Sequence, residues 1–151
     1  MAQAFSIRAG DASDLRAMNA LMHGSRAYQG EYYRIIEDYF VTADTLEHNA
    51  VFVADADGAL LGFYSLVVEG EADLDLMFVS DAAQGTGVGR ALFEHMKRIA
   101  REHGFGAVAI GSHPPSVGFY ERMGAVRSGV LAPSARVTWE RPLLTLNVME
   151  S

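Results

Sequence analysis

The chain contains no cysteine. That excludes disulfide cross-links, thiolate metal sites and a cysteine nucleophile. Long apolar runs are missing as well: the longest nearly apolar stretch, Ala59–Val68, is far short of the roughly 20 residues a membrane helix needs. The opening residues, MAQAFSIRAG, show no basic region followed by an apolar stretch. No secretory leader is therefore expected, and a cytoplasmic location is the expectation. Positive charge is scarce: 12 basic residues stand against 19 acidic ones, for a net charge of −7. That balance argues against a grip on nucleic acid and favours small cationic partners. No Gly-x-Ser-x-Gly, Gly-Lys-Ser/Thr or His-Glu-x-x-His occurs, which disfavours a hydrolase elbow, a P-loop and a zinc-protease helix. His95 and His103 do not have ligand spacing either, so no metal is expected.

What is present suits one globular domain over residues 1–151: half of the residues are hydrophobic. Phe5–Arg8 alternates as a short edge strand. Asp11 then caps a helix, with Asp14 at its third position and Leu15, Met18 and Met22 at helical spacing. A loop follows, and Tyr32, Ile35, Ile36, Tyr39 and Phe40 predict a second helix. VFVAD and LLGFYSLVV read as a hairpin around an Ala-Asp-Gly turn. In the next strand, DLDLMFV, alternation puts Leu74, Leu76 and Phe78 on one face and Asp73, Asp75, Met77 and Val79 on the other. Val88, Ala91, Leu92, His95, Met96 and Ile99 mark a long helix ended by Gly104. GAVAI is a buried strand, placed parallel to Leu74–Val79 by a right-handed crossover. Pro114 and Pro115 open a short helix running to Met123. Strands around Ala125–Val130 and Leu143–Val148 complete an α+β pattern, a mixed and mostly antiparallel sheet of six to seven strands with about four helices.

The chemistry concentrates at Gln84–Met96, QGTGVGRALFEHM. A helix start leaves amide N–H groups unpaired and carries about half a positive charge. Here no acidic side chain fills that spot between Gln84 and Arg90, Thr86 is the only candidate cap, and Arg90 adds a cation in the first turn. Glycines at 85, 87 and 89 let another molecule approach the backbone. An external anion, phosphate above all, fits such a site. The spacing is not Gly-x-Gly-x-x-Gly, because position 90 is arginine, and it follows a meander rather than a first strand.

Gln84-x-x-Gly87-x-Gly89 after an apolar strand resembles the Arg/Gln-x-x-Gly-x-Gly/Ala motif of the GNAT superfamily of N-acetyltransferases. SVGFYERMGA, Ser116–Ala125, is similar to that family's second motif, with Phe119, Tyr120 and Gly124 matching. Ser116 stands for the usual alanine and Ala125 for the usual phenylalanine, and SHPP replaces an asparagine often found just upstream. The resemblance covers nearly the whole chain and implies the GNAT fold, in which the strands matching Leu74–Val79 and Ala107–Ile110 splay apart at one end. It implies acetyl-CoA as acetyl donor. Pantetheine would lie in the splay, paired with backbone near Phe78 and Val79, with an N–H near Val79 polarising the thioester. The amides of Gln84, Gly85, Thr86, Gly87, Val88, Gly89 and Arg90 would take the pyrophosphate, and Ser116 and Phe119 would line the coenzyme site. Tyr120 would protonate the departing thiolate.

For the base the residues offer two carboxylates. Asp75, where some related acetyltransferases carry a glutamate, is the candidate, and Asp73 on the same predicted face competes with it. An ammonium must lose a proton before it attacks, so a carboxylate acting through water suits the task. The loop Arg26–Tyr33 matches the variable connection that shapes the acceptor pocket in this family. Its Tyr28, Glu31 and Tyr33, with Asp73, would bind an acceptor by ring face and charge. The reading is an N-acetyltransferase acting by direct attack in a ternary complex on a small, cationic primary amine. The alternatives are a non-catalytic acyl-CoA sensor and an enzyme for a peptide or protein amine. No nucleic-acid or membrane partner is expected, and a homodimer stays open.

Overall fold

A computed structural model describes residues 4–28, 30–133 and 140–149. Seven strands form one sheet: β1 (Ser6–Ala9), β2 (Asn49–Ala56), β3 (Ala59–Val67), β4 (Asp73–Val79), β5 (Ala107–Gly111), β6 (Val126–Leu131) and β7 (Arg141–Asn147), in the order β1-β2-β3-β4-β5-β7-β6. Only β4 and β5 run parallel; every other neighbouring pair is antiparallel. The four α-helices among the described residues are α1 (Leu15–His23), α2 (Ala43–His48), α3 (Val88–Glu102) and α4 (Val117–Arg122). None of them is long and apolar enough to cross a membrane.

The hairpin β2–β3 turns at Asp57 and Gly58, both with positive φ, as the Asp-Gly pair favours. The sheet carries apolar clusters on its two faces. Successive β3 residues divide between them, Phe63 joining Met18 and Met22 of α1, and Tyr64 joining Leu92, Phe93 and Met96 of α3. Those α3 side chains are fully buried. Truncating one of them, as in Leu92→Ala, carries a cost of about 2–5 kcal/mol. In the 3-10 turn Ala12–Asp14 that leads into α1, Asp11 and Asp14 form a reciprocal cap. Ser13 N–H donates to Asp11 Oδ1, and Asp11 N–H donates to Asp14 Oδ2.

Two expectations are corrected. The helix expected over Tyr32–Phe40 is instead a 3-10 segment, Gly30–Ile35, followed by turns. Its aromatic side chains find partners in different directions: the Tyr33 hydroxyl meets His23, Phe40 stacks on the same imidazole, and Tyr39 donates to Asp75. These contacts draw the segment out and override its helical spacing. The regular helix lies later, in α2, where Thr42 and Thr45 form a reciprocal cap. The second correction concerns β4. Ser65 faces Leu76 while Leu66 faces Leu74, so Asp75 is the extra residue of a β-bulge. Alternation slips by one there. Leu74 packs with the α3 cluster, joined by Met77 and Val79, while Leu76 and Phe78 pack with the α1 cluster.

Candidate active site

The site is built where two parallel strands part. β4 and β5 are in register at a single pair, Asp73↔Ala109, with Ala109 N–H bonded to the Ala72 carbonyl across 3.0 Å. Beyond that point β5 keeps its ladder with β7 and β4 keeps its ladder with β3. A cavity of about 330 Å³ opens between the diverging ends. Residues 74–78 of β4 form one wall and residues 111–113 the other, with Tyr28, Tyr39, Tyr120 and Arg141 closing the sides.

The bulge puts Asp75 into this cavity. Tyr39 Oη donates to Asp75 Oδ2 across 2.6 Å. Burial pushes the Asp75 carboxyl above its ordinary value of 3.8, and the Tyr39 bond pulls part of the way back. Asp73 is also raised, first by burial and then by the Asp75 charge, but it does not line the cavity. Tyr28 stacks on His113 with ring centroids 3.9 Å apart and leans on Phe78 at 5.0 Å. Its phenol is pushed up to about 12 by burial, against the pull of the Arg141 guanidinium. Tyr120 packs against Phe93 and Phe119 and borders the cavity. Burial, then the Tyr28 phenol, raises it above its ordinary value of 10, so it carries its proton at neutral pH.

Beside the cavity lies the amino end of α3. Gly87 is its N-cap residue, held at φ 93° in the left-handed region, and no side chain caps the helix. Thr86 turns its hydroxyl back to the Ala83 carbonyl instead. The Gln84 and Thr86 N–H groups are taken within the turn by the Asp81 and Ala83 carbonyls. The first amides of the helix, at Val88, Gly89 and Arg90, have no intrahelical acceptor. Gln84 folds its side-chain amide onto the Val79 carbonyl at 3.0 Å. A Cβ at Gly89 would lie 3.4 Å from Val79 Cγ2 and 3.7 Å from the Phe119 ring, so both motifs converge on the end of β4. Ser116 joins the turn into α4, its N–H bonded to the His113 carbonyl.

The fold thus gathers Tyr28, Asp75, Phe78 and Tyr120 around one cavity, with Val79, Gln84, the glycines and Phe119 next to it. Tyr33 does not line the cavity; its hydroxyl meets His23 Nδ1 at 2.9 Å. The Glu31 side chain lies outside the described residues. Sequence reasoning missed Tyr39, His113 and Arg141. Tyr39 was hidden in an apparent helical stripe, and His113 sits in the very SHPP segment that departs from the family motif. Nothing in the sequence marks Arg141.

Comparison with known proteins agrees with this geometry. No curated protein sequence matches the chain. Many solved structures share its fold. Ard1 from Thermoplasma volcanium superposes with a TM-score of 0.78 at 20% identity, over 97% of this chain and 99% of that one. The ribosomal-protein-S18-alanine N-acetyltransferase from Escherichia coli gives 0.73 at 19%, over 98% and 96%. YncA, a putative acetyltransferase from Salmonella typhimurium determined with acetyl-CoA, gives 0.72 at 18%, over 99% and 96%. The family model for the acetyltransferase (GNAT) domain matches residues 26–134, and the chain belongs to that family of acetyl-CoA-dependent acetyltransferases.

Proposed function

We propose that the whole chain acts as one N-acetyltransferase domain, transferring acetyl from acetyl-CoA to a small primary amine by direct attack in a ternary complex. The observation that carries this is the cavity at the parting of β4 and β5, with Asp75 and Tyr120 in one space. The backbone of β4 facing the gap lacks ladder partners beyond Asp73, and polar backbone needs partners. The amides of pantetheine suit that edge at Phe78 and Val79. The free amides at the start of α3, with Arg90 beside them, suit the pyrophosphate.

In the reaction the amine nitrogen attacks the thioester carbonyl carbon, the carbon–sulfur bond breaks, and Tyr120 gives its proton to the thiolate. The proton shed by the amine passes, through water, to Asp75. A raised carboxylate is a better base than an ordinary one, and a phenol with a raised pKa holds its proton until sulfur needs it. Asp75 is preferred to Asp73 because only Asp75 lines the cavity. Tyr28 offers a ring face to the acceptor, which arrives as its ammonium and meets Asp75. A volume of about 330 Å³ fits a small molecule.

The test is calorimetric titration with acetyl-CoA, followed by CoA release with a panel of small amines. Micromolar binding, roughly −8 kcal/mol, and amine-dependent release are expected. Binding without release for any small amine but with release for a peptide amine would move the acceptor class to peptides. Binding without any release would make the chain a sensor.

A further inference from the structure

The cavity holds a charge that the transfer chemistry does not use. Arg141 opens β7 and lines the same space as Asp75. Its Nε is buried and has no hydrogen-bond partner among the described residues, and no carboxylate there forms an ion pair with it. The backbone explains its position: Gly111 of β5 faces Leu143, and the Ser112 N–H bonds the Pro142 carbonyl at 3.0 Å. Arg141 therefore stands next to the end of β5, across the opening from Asp75 on β4. The same side chain also borders a hollow beside Arg127 and Glu140. A half-buried cation without a counter-ion is costly to hold, and an arriving anion relieves that cost.

We propose that the acceptor is an amino acid in the broad sense, a primary amine that also carries a carboxylate, with the amine at Asp75 and Tyr120 and the carboxylate on the Arg141 guanidinium. This rests on the acetyltransferase reading above and narrows its acceptor. A planar guanidinium takes a carboxylate through paired hydrogen bonds and so fixes orientation as well as charge. With one carboxylate and one guanidinium lining the same space, the cavity discriminates by charge pattern. A dipolar acceptor satisfies both charges. A diamine brings its second cation against Arg141, and an alkylamine leaves the guanidinium unpaired.

The experiment measures kcat/KM by CoA release for three matched sets: amino-carboxylates of increasing chain length from glycine through 4-aminobutyrate together with larger α-amino acids, their carboxamides, and the alkylamines and diamines of equal length. The best amino-carboxylate is expected to exceed its own carboxamide by at least ~10-fold, the scale of one charge-assisted contact. In Arg141→Gln the KM for that amino-carboxylate should rise by a similar factor, so that the acid and the carboxamide become nearly equal. Arg141→Lys should recover part of the preference, which a merely structural arginine would not do. Acetylation of carboxamides, alkylamines or diamines at equal or better efficiency overturns this inference and leaves the acetyltransferase reading standing. Acetyl-CoA binding with no turnover on any member of the three sets overturns the small-amine reading and this inference with it.

Discussion

The Tyr39 hydroxyl donates to Asp75 Oδ2 across 2.6 Å, tying the segment before α2 to the bulge of β4. That bond favours the ionised carboxylate, whereas burial disfavours it. Removing it in Tyr39→Phe leaves burial unopposed, so the Asp75 pKa should rise further. If Asp75 is the base, the acid limb of the kcat/KM profile moves to higher pH in Tyr39→Phe. A limb that stays in place would assign it to another group.

Asp75→Asn separates activity from stability. A carboxylate whose folded pKa lies above its unfolded value weakens the fold once both states are ionised. The penalty begins above the ordinary value of 3.8, grows as pH rises through the folded pKa, and is full beyond it. An uncharged asparagine avoids it, so Asp75→Asn should raise the melting temperature at neutral pH and lose that advantage towards pH 4 and below. Activity should change in the opposite sense. The loss should be largest at about pH 7 and smallest at about pH 9, where free amine is plentiful. An activity defect of equal size at both pH values would give Asp75 a binding role instead.

Tyr120→Phe keeps the ring among Phe93 and Phe119 and removes only the proton offered to sulfur. Turnover should fall by ~10²-fold or more while calorimetry with acetyl-CoA stays nearly unchanged. Turnover within a factor of ~2 of the parent, well below a general-acid effect, would leave Tyr120 as a packing residue.

The parts of this site that the sequence discloses are those that depend on local rules. The amino end of α3 is legible because an uncapped helix start with glycines is a property of consecutive residues, and the structure keeps it uncapped at Gly87. The parallel pairing of β4 with β5 follows from chain connectivity, and the structure has it. What depends on distant partners is not legible. Strict alternation along β4 fails because the Asp75 bulge is set by register against β3. Tyr39 looks like one of a helical stripe, and only its bond to Asp75 reveals that its side chain leaves that stripe for the cavity. Arg141 comes into the cavity through β7 pairing with β5, a contact between segments about 30 residues apart in sequence.

The last expectation concerns the turn before α3 and uses another glycine as its control. Gly87 and Gly58 both sit in the left-handed region, at φ 93° and 90°, with open space where a Cβ would point. Alanine at either position should carry a similar strain of about 1–2 kcal/mol, read as a drop in melting temperature. Only Gly87 lies at the proposed anion site, so only Gly87→Ala should also weaken acetyl-CoA. Gly89 differs: its φ is ordinary, and an added Cβ would meet Val79 and Phe119 at van der Waals distances. Gly89→Val should therefore fold with modest loss, yet push two methyl groups into the space at the end of β4 where the coenzyme approaches. Its acetyl-CoA affinity should fall at least ~10-fold, about 1.4 kcal/mol. Titration of the three folded variants distinguishes the outcomes. Unchanged affinity in both Gly87→Ala and Gly89→Val, with Gly58→Ala equally destabilised, would place the pyrophosphate elsewhere.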